Sequence, residues 1–107
     1  MATARSSHVV FVILISASLM ACVSGRAHEN FMSYMQWQVG RSSDDPNVSF
    51  NRYRENRGST SVLTNGNTQQ QYHFGPGCDV YFEIDQAQKK IISWRYEGSK
   101  ETCYIVP

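Results

Sequence analysis

The strongest constraint on this chain of 107 residues is a pair of alternating runs near its C-terminus, "CDVYFEID" and "KIISWRY", separated by "QAQK". Val80, Phe82 and Ile84 alternate with Tyr81, Glu83 and Asp85, and Ile92, Trp94 and Tyr96 alternate with Ile91, Ser93 and Arg95. A period of two puts successive side chains on opposite faces of a strand, so each run predicts a half-buried strand. Two such runs around a short connection predict an antiparallel hairpin. Pairing Asp85 with Lys90 sets Cys78 opposite Glu97, and a bend at "EGSK" can then return Cys103 to Cys78. The expected disulfide closes a loop of about 26 residues, worth roughly 3 kcal/mol in the chain-entropy model.

Upstream, "TSVLTNGNTQQQYHF" places Asn65-Gly66 between two extended stretches. Both residues accept positive φ at little cost, so a second hairpin is expected from Ser61 onward. The closing "TCYIVP" can add one short strand. Helical spacing is confined to the first half. Phe31, Met35 and Val39 recur at i, i+4 and i+8 with Met32 alongside, between Asn30 as a candidate N-cap and Gly40 as a stop. Asp45-Pro46 resembles an N-cap followed by proline at the first helical position. It would open a second short helix through "NVSFNRYREN" with Phe50 and Tyr53 inward, unless residues 46–56 form an ordered loop. These elements define an α+β class: one or two N-terminal helices packed on a three- to four-stranded antiparallel sheet with one disulfide.

The third cysteine lies apart. Val9 to Met20 is a twelve-residue, mostly apolar run behind a short segment carrying Arg5. A bilayer-spanning helix needs about 20 residues, so the run fits the apolar region of an export signal. Cleavage after Ala27 would give a soluble secreted or periplasmic protein. Cleavage before Cys22 would use Leu19, Ala21 and Cys22, which resemble the bacterial lipobox. Cys22 is then lipidated, and several acyl chains make a stable anchor because each buried CH₂ contributes about 0.8 kcal/mol. By the same resemblance, Val23 after the cysteine implies the outer membrane.

On that reading residues 1–21 are the signal, residues 22–30 a tether carrying His28, and residues 31–107 a single domain. Loss of Arg5 leaves nine Lys+Arg against nine Asp+Glu, so no global field recruits nucleic acid. Assigning Cys22 to lipid leaves Cys78 and Cys103 to pair, and export favours the bond.

Catalytic signals are sparse. His73 is the only plausible acid/base histidine, and with Glu55 and Arg54 or Arg95 it would resemble the site of small secreted ribonucleases. The sequence contains no phosphate-binding glycine loop, metal-ligand cluster or serine nucleophile motif, and no cofactor is expected. The competing expectation is a non-catalytic interaction module. Its contact residues would be Arg52 and Arg54, grouped with Arg57, and sheet residues from among Tyr81, Trp94, Arg95 and Tyr96; the strand register decides whether Trp94 or Arg95 faces out, with Trp94 otherwise in the core. An inhibitor acting through the loop at "FGPGC" is a further alternative.

The phrases "VGRS…DDP", "NRYRE", "NGN", "C…FEID", "WRYEG" and "C…VP" resemble a family of small, uncharacterised proteobacterial lipoproteins across most of the mature chain. That family brings no activity with it. The order of helices followed by an antiparallel sheet is also similar to the small-protein-A type lipoproteins of the outer-membrane β-barrel assembly machinery. This second resemblance implies an anchored, partner-binding α+β domain, facing the periplasm and contacting an envelope protein.

Overall fold

The computed structural model describes residues 26–106. The export signal and Cys22 lie outside the described residues. The first helix, α1, covers residues 26–37. A short helix α2 (Ser49–Arg52) and a 3-10 turn (Arg54–Asn56) follow, then β1 (Arg57–Val62), β2 (Thr68–Gly75), β3 (Cys78–Ile84) and β4 (Ile91–Glu97). The strands form one antiparallel sheet in sequence order. Tyr72, Val80, Phe82, Ile84 and Ile91 turn toward the helices and meet Phe31, Met35, Val48 and Phe50 in a single core.

Helix α1 matches the Phe31/Met35 spacing but begins earlier than expected. Asn30 lies within it rather than at its cap, and its amide donates to the carbonyl of Ile105. Residues 26–30, expected as tether, are helical, and His28 is buried. The buried stripe runs His28, Phe31, Met35, Gln38, while Val39 is half-buried and Met32 is exposed. Val39 leaves the seam because the helix closes in tight i→i−3 bonds, Gln38 N–H to Met35 O and Val39 N–H to Gln36 O. Gly40, at φ 91°, then turns the chain so that its N–H reaches Ile91 O.

The predicted second helix shrinks to α2 and the 3-10 turn. Asp45 does not cap it. Its carboxylate accepts from Asn47 N–H within a turn, and Val48 is the N-cap without a side-chain bond. The missing acceptor comes from elsewhere: buried Gln38 accepts from both the N–H and the hydroxyl of Ser49, at 2.8 and 2.9 Å. Arg57 donates to Phe50 O at the other end. Phe50 is buried as expected, whereas Tyr53 is exposed.

The C-terminal hairpin is shifted by one residue at its far end. Ile84 faces Ile91 but Glu83 faces Ser93, which leaves Ile92 as the extra residue of a bulge. Asp79, not Cys78, therefore pairs with Glu97. The bulge buries Ile91 in the core, on the side where Trp94 and Tyr96 pack against it, and turns Ile92 outward. Without it, strict alternation would set Ile91 on the face opposite Trp94 and Tyr96.

The Cys78–Cys103 disulfide is formed, with Cα atoms 5.3 Å apart. Beyond it, residues 104–106 form no strand. They are pinned to α1 instead, Ile105 N–H donating to Ala27 O at 2.9 Å and His28 Nδ1 bonding Cys103 O at 2.8 Å. Gly98 makes this crossing possible, since a Cβ there would lie 2.6 Å from Gly77 O and 2.8 Å from Cys103 Sγ.

Two substitutions probe these joints. Gln38→Leu keeps the volume but strips two buried donors of their acceptor, so its urea midpoint is expected to fall by the equivalent of about 1–3 kcal/mol. Replacing both Cys78 and Cys103 by alanine is expected to cost about 3 kcal/mol on the same measurement.

Candidate functional site

The sheet divides the expected contact residues. On its helix-free face Arg95 lies over the ring of Tyr81, 4.1 Å from its centroid, and pairs with Glu97 at 3.1 Å. His73 bonds Asp79 on the same face. Its cations and carboxylates are thus largely satisfied by one another. Trp94 and Tyr96 belong to the opposite face, packed edge-on against Phe31 at 6.0 and 5.5 Å. The register thus decides between the two orders the sequence leaves open: Tyr81 and Arg95 face outward, and Trp94 and Tyr96 pack against α1.

The arginines are also split. Arg57 is occupied with α2, donating to Phe50 O and Asn51 Oδ1. Arg54 is exposed on the 3-10 turn. Arg52 alone lines a cavity, with its guanidinium 5.5 Å from the centroid of the Tyr53 ring. Glu55 and His73 are not brought together: Glu55 acts electrostatically on Tyr72, which faces the helices, whereas His73 follows it in β2 and points to the other side. Among the described residues there is no group of three His, Cys, Asp or Glu side chains placed to hold a metal ion.

The cavity lined by Arg52 lies where α1, the α2 segment, β2 and the tail meet. It has a volume of about 510 Å³ and is walled by Tyr34 of α1, Arg52, Tyr53 and Asn56 of the α2 segment, Tyr72 and Phe74 of β2, and Ile105 of the tail. That size falls within the usual range of small-ligand sites, about 300–1,000 Å³. Each wall is set by an interaction already described. Gln38 holds α2 beside α1, the β2 alternation turns Tyr72 and Phe74 inward, and the tail's bonds to Ala27, His28 and Asn30 fix Ile105.

Among the described residues, the polar side chains that line the cavity make no hydrogen bond. Tyr72 is only 4% exposed, yet among the described residues its hydroxyl makes no hydrogen bond, and no buried polar side-chain atom is sealed away unpaired. Its hydroxyl therefore opens to the cavity. Burial first, then the phenols of Tyr34 and Tyr53 and the carboxylate of Glu55, pushes the Tyr72 phenol up to about 12. Burial also raises Tyr34, with Tyr53 adding to the effect and Arg52 opposing it. The phenols thus stay protonated at neutral pH, beside a guanidinium that has no carboxylate within 4.0 Å among the described residues. Such a lining offers hydrogen-bond donors and one positive charge between aromatic and aliphatic walls.

A second, shallower groove runs between α1 and β4 over Met32, Gln36, Trp37 and Trp94. Within it Trp94 Nε1 donates to Gln36 Oε1 at 3.1 Å, and Arg41 lies 3.6 Å from the centroid of the Trp37 ring.

Of the cavity residues, only Arg52 stands among the contact residues expected from sequence, and Tyr53 was expected in the core. Tyr34, Asn56, Tyr72, Phe74 and Ile105 carry no local motif. The available signal is the placement of tyrosines at the margins of apolar stripes, where the ring packs and the hydroxyl seeks a polar partner. No protein family, curated protein or solved structure matches this chain.

A raised phenol pKa links the cavity to stability. The folded state favours neutral Tyr72, whereas the unfolded chain releases that proton near the ordinary value of 10.0, so stability falls as pH climbs from there toward about 12. Tyr72→Phe is expected to flatten that decline in urea midpoints taken across the window. It should also remove the latest-ionising phenol from an ultraviolet titration.

Proposed function

We propose that this protein is a lipid-anchored, non-catalytic envelope module, held to the outer membrane through Cys22 on the periplasmic side, and that it binds its partner through the tyrosine-lined cavity. The observation that carries the binding part is a nearly buried Tyr72 whose hydroxyl, with no partner among the described residues, opens into a cavity beside Arg52. Donors left unpaired inside a concave, mostly apolar site are groups arranged for a ligand.

The start of α1 supports cleavage before Cys22 over cleavage after Ala27. Cutting after Ala27 would remove the carbonyl that accepts from Ile105 N–H and leave a charged amino group on buried His28. Removing residues 1–21 spares those contacts and leaves four residues between Cys22 and Ala27. A residue spans at most about 3.6 Å, so the five steps from Cys22 to Ala27 keep the helix within about 18 Å of the anchor. The domain would therefore sit close to the membrane surface.

Intact-mass analysis of the mature protein is the direct test. The expected species begins at Cys22, carries the added mass of acyl chains, and fractionates with outer membranes, while Cys22→Ser releases the protein from the membrane fraction. A mature chain beginning at His28 with no added mass would overturn the anchored reading.

A further inference from the structure

The lining of the cavity also selects a class of ligand. This step rests on the cavity being the binding site proposed above. We propose that the cavity binds the free C-terminal carboxylate of a peptide whose last side chain is apolar.

The charge count argues for a single negative charge. Arg52 is the only full positive charge in the lining, and no lysine joins it. Glu55 is near enough to raise the phenol of Tyr72, so negative charge on a ligand is opposed there, and a dianion is opposed more strongly than a monoanion. A phosphate dianion would call for more cations than this, whereas a carboxylate matches one planar guanidinium, which can hold it through two parallel hydrogen bonds.

The remaining donors suit the same group. The Tyr72 hydroxyl is protonated and has no partner among the described residues, and Tyr34 is likewise held neutral. The side-chain amide of Asn56 also makes no hydrogen bond among the described residues and lines the same cavity. A carboxylate accepts up to four hydrogen bonds and offers no donor that would go unanswered. Phe74, Ile105 and the faces of the tyrosine rings supply the apolar walls. A chain end carrying an apolar side chain would bury that side chain against them and leave its backbone extending through the open mouth. The volume of about 510 Å³ admits one or two residues, not a folded partner surface.

The test compares matched probes on the mature protein in neutral-lipid nanodiscs by isothermal titration calorimetry. N-acetyl-Ala-Phe with a free carboxyl group is expected to bind at least about ten-fold more tightly than its C-terminal amide, a difference of about 1.4 kcal/mol. Arg52→Gln should erase the difference between acid and amide. Tyr72→Phe, which keeps the ring in place, should weaken the acid several-fold, whereas Arg54→Gln on the neighbouring exposed turn should change nothing. Circular dichroism of each variant checks that the fold is retained.

Equal affinity for acid and amide would overturn the proposal, as would tighter binding of inorganic phosphate or glucuronate than of the peptide acid, or no heat from any probe at millimolar concentration. Failure here with Cys22 lipidated would leave the anchor standing and remove only the ligand class. Binding of the acid by a protein that proves unlipidated would do the reverse.

Discussion

A single buried amide joins the two helical segments of this domain. Gln38 sits fully buried at the end of α1, accepts two hydrogen bonds from Ser49, and directs its own amide protons at Tyr34 O and Met35 Sδ. The short α2 has no cap of its own and too few residues to persist alone. Its position depends on that acceptor, and with it the positions of Phe50 in the core and of Arg52, Tyr53 and Asn56 on the cavity wall. A buried polar group is costly unless fully paired, and once paired it specifies one arrangement where apolar packing would allow several.

The opposite wall relies on a different device. A domain of this size buries a modest core, so its C-terminal tail needs attachments beyond apolar contact. The disulfide fixes Cys103, and the bonds from Ile105 to Ala27, from Cys103 O to His28 and from Ile105 O to Asn30 tie the tail to α1. The tail thereby closes the cavity with Ile105 and shields the first turns of the helix. One end of the molecule joins the proposed membrane anchor, the staple and one edge of the proposed binding site.

Much of the sheet was legible from the chain. Both hairpins, the Asn65-Gly66 turn and the Cys78–Cys103 bond follow from a period of two, turn chemistry and spacing. The misreadings share a cause. The bulge at Ile92, the short α2 and the irregular tail each break a local rule in answer to a contact made far away. The bulge set which face Trp94 and Tyr96 take, so they pack against α1 while Tyr81 and Arg95 face outward. The cavity was the least legible feature, because its walls come from α1, the α2 segment, β2 and the tail, which no sequence window contains.

The amino-acid sequence by itself determined the class of fold, the disulfide pairing and the presence of an apolar run, Val9 to Met20, just ahead of Cys22. These depend on neighbours along the chain or on a count of three cysteines. Tertiary structure alone decided which tyrosines share a cavity, which arginine stays unpaired beside them, and that His28 is core. Those outcomes turn on which long-range hydrogen bonds satisfy buried groups, and the partners in such bonds can stand 75 residues apart, as His28 and Cys103 do.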